Sequence, residues 1–101
     1  MKFLILSLTL LASIVHAETT TFTVKGMHCS ACKETITKNV CDSKDVKAST
    51  DSCTVQLIDE DKQIGQIVMI SKKGKKIDAG KVETNVKAAG PEYSVTNKEV
   101  K

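Results

Sequence analysis

Residues 19–41 read TTTFTVKGMHCSACKETITKNVC, and within them the pattern of a strand passes directly into the pattern of a helix. Thr19–Lys25 is rich in β-branched residues and alternates, which predicts a strand ending before Gly26. From Ser30 to Cys41, apolar side chains recur every four residues, which predicts a helix with one buried face. The residues on that face are Cys32, Ile36 and Val40.

The remainder of the chain predicts two further strands, a second helix and a last strand. Residues 42–52 are polar and turn-rich, residues 53–58 alternate as a strand, and residues 59–63 form a charged hairpin loop. Residues 64–71 predict a third strand whose inward face is ambiguous, because both faces carry aliphatic residues. Asp78 is a candidate cap for a second helix that Gly90 ends. A short strand over residues 93–96 then precedes a frayed tail, residues 97–101.

This order of elements predicts the fold class. A βαββαβ order is typical of an α+β, ferredoxin-like fold, in which an antiparallel sheet carries two helices on one face. There are no internal repeats, and residues 18–101 form a single predicted domain.

The N-terminal 17 residues, MKFLILSLTLLASIVHA, predict a signal peptide that is cleaved after Ala17. They carry one charge, Lys2, followed by an apolar run that is shorter than the roughly 20 residues a membrane-spanning helix needs. An uncleaved anchor is the alternative. We expect a protein exported to the periplasm or otherwise secreted, with no stable membrane insertion after cleavage.

Composition excludes one class of partner. After cleavage the chain has 84 residues, with 14 lysines, no arginine and 12 acids, a formal charge of +2. Phe22 and Tyr93 are its only aromatic residues, so it lacks platforms on which bases could stack. This balance predicts no binding to nucleic acid. We also expect a monomer.

Cys29 and Cys32 are the residues with the clearest chemistry, because two cysteines separated by two residues lie where the first strand meets the first helix. The positive end of a helix favours thiolate over thiol, and thiolate is the form that binds metal. Two soft ligands suit Cu(I) or another soft ion of low coordination number, whereas a closed structural zinc site usually needs four ligands. His28 is the nearest candidate for a third ligand, although an exposed loop histidine is the more common situation.

Gly26–Cys32, GMHCSAC, resembles the Gly-Met-x-Cys-x-x-Cys loop of heavy-metal-associated domains. This family includes copper chaperones, copper-ATPase metal-binding modules and periplasmic mercury-binding proteins. The resemblance covers roughly residues 20–97 and places Ile36 and Val40 in the core. It implies that Cys29 and Cys32 hold one Cu(I) or Hg(II) ion per chain and that Met27 packs beneath the loop. It further implies a non-enzymatic carrier that passes its ion by thiolate exchange to a metal-transporting membrane protein or an ATPase metal-binding domain.

Several features depart from the family pattern. A longer polar segment, residues 42–52, replaces the usual Pro-Gly-Val turn after the first helix. The family's Ala-Gly-Tyr is interrupted as Gly90-Pro91-Glu92-Tyr93, which leaves the position of Tyr93 against the metal loop open. Cys41 and Cys53 are additions to the pattern.

Alternatives remain for both cysteine pairs. Cys29 and Cys32 could form a structural bridge or serve a thiol–disulfide exchange protein, although the tryptophan that would precede a thioredoxin motif is absent. For Cys41 and Cys53 we predict a structural disulfide worth about 3 kcal/mol, over a second metal site or two free thiols. On an ideal helix Cys41 points away from the Ile36 face, so the last turn would have to unwind. The run Lys72–Lys76 is a solvated turn by default, with a docking patch for an acidic partner as the alternative.

Overall fold

The computed structural model describes residues 18–28 and 30–101, and for Ser30 it describes the backbone alone. The predicted signal peptide and Cys29 therefore lie outside the described residues. Within those ranges, no helix is long and apolar enough to cross a membrane.

The described part of the chain is a small α+β fold with four strands and three helices. The strands are β1 (Thr19–Lys25), β2 (Thr50–Asp59), β3 (Ile64–Ser71) and β4 (Ser94–Val100). The helices are α1 (Ser30–Ile36), which continues as a π-helical segment (Thr37–Cys41), α2 (Lys44–Ser49) and α3 (Ala79–Ala89).

The strands form an antiparallel sheet in the order β2-β3-β1-β4. The central pair is in continuous register, from Thr19 opposite Ile70 to Lys25 opposite Ile64. The sheet therefore has two distinct ends: Lys25 and Ile64 lie at one, Thr19 and Ser71 at the other.

The core lies between one face of the sheet and the helices. Its side chains from β1, β2 and β3 are Phe22, Val24, Val55, Ile67 and Met69, and its helical side chains include Ile36, Val40, Val82 and Val86. Ile67 and Met69 are buried, so they lie on the inward face of β3, and Gln66 and Val68 face away from the core. Ile36 and Val40 share a buried face, as their spacing predicts.

The prediction that residues 42–52 form a turn-rich segment before a strand starting at Cys53 is wrong. They contain α2 and the start of β2, which begins at Thr50 rather than at Cys53. The Ser43 hydroxyl accepts a hydrogen bond from Val46 N at 3.3 Å and so caps α2, while the Val46 side chain is buried. Burial of one valine on the core thus stabilises a helix too short to persist alone.

The prediction of a frayed tail is also wrong. β4 extends to Val100, and Lys101 exchanges two backbone hydrogen bonds with Thr19, at 3.1 and 2.8 Å. Most of β4 is exposed, so its hydrogen bonds to β1, rather than burial, hold this polar strand in place. A bulge opposite Thr23 and Val24 interrupts the pairing.

Candidate metal-binding loop

The loop between β1 and α1 is held by the hairpin between β2 and β3. The backbone N–H groups of Gly26 and Met27 both donate to the carbonyl oxygen of Gln63, at 2.8 and 2.9 Å. Gln63 has a φ of 59°, a left-handed conformation that a residue with a Cβ rarely adopts. This conformation turns its carbonyl toward the loop, and two consecutive N–H groups share that one acceptor.

Gly26 is required at its position for two reasons. Its φ is 99°, in the left-handed region that favours glycine. In addition, a Cβ at this position would collide with the carbonyl oxygen of Glu92 and lie 3.3 Å from Cα of Tyr93. The start of the loop therefore lies between the β2–β3 hairpin and the segment joining α3 to β4.

Met27 anchors the loop in the core. Its side chain is fully buried, and its sulfur packs directly on Gly65 of β3, where a Cβ would collide with Met27 Sδ. The implied role of Met27 as a core residue beneath the loop is confirmed by this burial. A glycine within a strand permits such a close approach.

Cys32 lies in the first turn of α1 with 4% of its surface exposed, on the face that also buries Ile36. Its predicted partner Cys29 lies outside the described residues. In the sequence, four residues lie between the anchored Met27 and Cys32.

His28 is exposed beside the loop. Its Nδ1 atom lies 3.1 Å from the carbonyl oxygen of Gly26. A hydrogen bond between these two atoms requires the proton on Nδ1, because a carbonyl oxygen only accepts, and Nε2 is then the nitrogen open to another partner. The ring borders an open depression of about 250 Å³ lined by Lys25, Gly26, His28, Gln63 and Glu92. His28 thus has a nitrogen suited to ligation.

Tyr93 lies near the loop, although a proline and a glutamate separate it from Gly90. Its side chain is buried, and its ring packs on Gly90, where a Cβ would lie 3.0 Å from Tyr93 Cε2. The backbone of Tyr93 also borders Gly26. The interruption of the Ala-Gly-Tyr pattern therefore leaves the tyrosine against the same loop.

Across residues 18–28 and 30–101, no three His, Cys, Asp or Glu side chains come together in a way that could hold a metal ion. Cys29 is not among those residues. The candidate site therefore remains the pair of sulfurs predicted from the sequence, with His28 beside it.

Cys41 and Cys53 form a disulfide, as predicted, with their Cα atoms 5.6 Å apart. The π-helical segment explains how Cys41 reaches inward: Asp42 N donates to Thr37 O at 3.0 Å, five residues back. This wider turn rotates Cys41 toward β2, where Cys53 faces the core. The bridge therefore fastens the end of the first helical region to the edge strand.

A second depression of about 250 Å³ lies between α2 and the start of α3, away from the loop. Asp45 and Lys81 face each other there, with Lys81 Nζ 2.9 Å from Asp45 Oδ2. This hydrogen bond, followed by the charge of Asp45, raises the pKa of Lys81. Both side chains are more than half exposed, so the pair adds little to stability.

Sequence reasoning missed two residues that hold the loop, Gln63 and Gly65. An isolated glycine in a strand pattern was a usable signal for Gly65, since it often marks a close approach. A glutamine gives no such signal of a left-handed backbone.

Comparison with known proteins identifies no relative: no protein-family model, no curated protein and no solved structure matches this chain.

Proposed function

We propose that this protein is an exported carrier for a soft metal ion, Cu(I) or Hg(II), and that Cys29 and Cys32 hold one ion per chain. Thiolates are the ligands that such ions prefer, and two of them satisfy an ion of low coordination number. The proposal extends the resemblance of GMHCSAC to the metal loop of heavy-metal-associated domains.

The observation that carries the proposal is the way in which the loop is held. Gln63 accepts from two consecutive loop N–H groups, Gly26 fits where no side chain could, and Met27 is buried on Gly65. A pair of ligands binds more tightly when its backbone is positioned before the ion arrives, because less conformational entropy is lost.

The sheet supports a ferredoxin-like βαββαβ assignment, which we include in the proposal. The strand order β2-β3-β1-β4 and the antiparallel pairing are compatible with it. In this assignment α1 with its π-helical segment is the first crossover helix and α3 is the second. The short helix α2 is then an insertion before β2.

Ligand exchange is the chemistry we propose for delivery. A thiolate of the recipient adds to the ion, a three-sulfur arrangement forms, and one sulfur of this protein leaves. A second thiolate of the recipient then displaces the other sulfur in the same way, which releases the ion from this protein. No electron is transferred and no bond within the protein breaks. The proposed recipient is a metal-transporting membrane protein or an ATPase metal-binding domain, and no enzymatic step is involved. His28 Nε2 is the group that we propose as an optional third ligand.

Export is part of the proposal. The disulfide between Cys41 and Cys53 is compatible with an oxidising compartment, where such bridges persist. Residues 1–17 supply the predicted leader. In such a compartment the metal-free pair Cys29 and Cys32 can also be oxidised, so reduction would precede metal loading.

A thiol–disulfide exchange protein is the rival, since it would use the same two cysteines. The two functions differ in what the pair does with a reducible partner. A redox protein transfers electrons at a catalytic rate, whereas a carrier binds one ion and holds it.

The test is native mass spectrometry of the gently reduced protein titrated with Cu(I) and, separately, with Hg(II). We expect one ion per chain in the wild type and none in the variant Cys29→Ser/Cys32→Ser. The matched control is Cys41→Ser/Cys53→Ser, which removes the same number of sulfurs and should still bind one ion.

Two results would reject the proposal. One is equal metal binding by the wild type and by Cys29→Ser/Cys32→Ser. The other is rapid reduction of insulin by the wild type with no ion retained, which would support the rival.

A further inference from the structure

A turn between β3 and α3 concentrates positive charge. Lys72, Lys73, Lys75 and Lys76 surround Gly74, and all four lysines are exposed. We refer to Lys72–Lys76 as the lysine turn. It places four charges within five positions, in a chain with no arginine.

The lysine turn has a defined shape. Lys75 N donates to Lys72 O at 2.8 Å, and Gly74 has a φ of 80° at the third position, as in a type II turn. Lys72 N also donates to Ser49 O at 2.8 Å, which fastens the turn to the end of α2. The backbone therefore holds the four charges close together.

Gly74 of the lysine turn faces open space, and none of the four lysines forms an ion pair with the described residues. A Cβ built on Gly74 would have no heavy atom within 4 Å. Among the described residues, the ion pair present is that of Lys81 with Asp45, and none of the four turn lysines belongs to it. The turn is thus exposed and carries four positive charges.

The lysine turn lies at the end of the sheet opposite the metal loop. β3 runs from Ile64, next to the hairpin that holds the loop, to Ser71, next to the lysine turn. Eight residues of strand span about 25 Å. The lysine turn is therefore remote from the metal loop.

We infer that the lysine turn docks the protein peripherally on a membrane surface rich in anionic phospholipid. An exposed group of lysines suits a flat surface of diffuse phosphate charge, whereas a specific phosphate site uses a concave cradle or the planar fork of arginine. This inference goes beyond the proposed function and does not depend on the metal site.

Docking in this orientation has a consequence for the loop. The metal loop would face away from the bilayer, at a distance of about the strand length, roughly 25 Å. The metal loop could then contact a recipient domain that projects from the membrane, whereas it could not contact a site at the bilayer surface.

The binding is expected to be reversible and sensitive to salt. Each lysine near an anionic bilayer contributes about 1 kcal/mol, or roughly a fivefold gain in partitioning, and screening removes most of this gain in concentrated salt. We expect roughly a 600-fold loss of partitioning when all four lysines become neutral, since four fivefold factors multiply.

The experiment is co-sedimentation of the exported protein with vesicles of phosphatidylcholine alone or with 30% phosphatidylglycerol, a composition chosen as about one anionic lipid in three. The variant Lys72→Gln/Lys73→Gln/Lys75→Gln/Lys76→Gln should lose binding to the anionic vesicles. The control Lys33→Gln/Lys38→Gln/Lys87→Gln/Lys98→Gln removes the same charge from exposed positions elsewhere and should keep most of it. Raising NaCl from about 0.1 to 1 M should release the wild type.

Three outcomes would overturn the inference. Equal binding to both vesicle types would show that apolar contact drives the binding, for example through an uncleaved N-terminal segment. Equal losses of vesicle binding in the two variants would show that binding depends on net charge and not on the lysine turn. Binding to soluble polyglutamate but not to anionic vesicles would assign the lysine turn to an acidic protein partner.

Discussion

Two regions of this molecule position cysteines by different physical means. Cys41 and Cys53 are joined covalently, and a π-helical turn adjusts the backbone so that the bond can form. The segment that leads into Cys29 and Cys32 is held instead by two hydrogen bonds to Gln63 and by glycines in tight contacts. A covalent bond suits a link that only stabilises, whereas a site that exchanges an ion must keep its sulfurs available. The difference predicts that stability and metal binding can be changed separately.

Removal of the disulfide is the largest expected change in stability. We expect Cys41→Ala/Cys53→Ala to lower the free energy of unfolding by about 3 kcal/mol, because the loop of 12 residues gains freedom in the unfolded chain. For a domain of this size the midpoint of thermal unfolding should fall by roughly 10–20 °C. Calorimetry measures this fall, and a metal titration below the midpoint should still give one ion per chain. Loss of the ion in the folded variant would show that the two regions are coupled.

Gly26→Ala should affect both stability and the loop. The substitution places a Cβ at a left-handed φ and against the Glu92 carbonyl, for an expected cost of about 2–3 kcal/mol. Because the loop must move, the affinity for Cu(I) should fall roughly tenfold, which corresponds to about 1.4 kcal/mol. Chemical denaturation and competition with a Cu(I) chelator measure the two effects.

Gly74→Ala is the matched control for Gly26→Ala. It has a similar φ of 80°, but a Cβ there would meet nothing within 4 Å. We therefore expect only the conformational cost, about 1 kcal/mol, and no change in metal affinity. Similar losses of affinity in both variants would argue against a specific fit at Gly26.

Gly65→Ala tests the contact between β3 and Met27. The new methyl group would collide with the Met27 sulfur, and we expect a cost of about 1–3 kcal/mol from overpacking together with weaker metal binding. Gly80→Ala is the control, because its Cβ would meet only an Asp78 carboxylate oxygen, at 3.3 Å, and alanine favours a helix. If Gly65→Ala lowers stability and leaves metal affinity unchanged, Met27 is a core residue without influence on the loop.

The smallest expected effect on stability is that of the ion pair between Lys81 and Asp45. The hydrogen bond to Asp45 raises the pKa of Lys81, so the contribution of this pair to stability is complete below the ordinary pKa of lysine. The contribution is lost as the pH rises through the higher folded-state pKa. An NMR titration of Lys81 should show this elevation, and Asp45→Asn should remove most of it with little change in the unfolding midpoint. An unchanged Lys81 pKa in Asp45→Asn would assign the elevation to Asp78 instead.

The elements that the sequence predicted well are those whose signals are local. β1 and β3 have the predicted bounds, Thr19–Lys25 and Ile64–Ser71, because alternation or an apolar run with a clear end marks each strand. α3 begins after Asp78, whose carboxylate accepts from Lys81 N at 3.2 Å as a helix cap.

The elements that the sequence did not predict depend on distant contacts. α2 forms because Val46 reaches the core, and β4 continues past Thr96 because β1 offers a free edge more than 70 positions earlier. The same holds for the candidate site. The motif predicts Cys29 and Cys32 as ligands, and the resemblance placed Met27 in the core, where it lies. The roles of Gln63 and Gly65 arise only when the hairpin meets the loop.

The most direct test of the central claim is X-ray absorption spectroscopy of the protein loaded with one equivalent of Cu(I). We predict a first shell of two sulfurs, with one additional nitrogen if His28 takes part, and no bound copper in Cys29→Ser/Cys32→Ser. A first shell of nitrogen and oxygen alone, or an unchanged spectrum in that variant, would contradict the account.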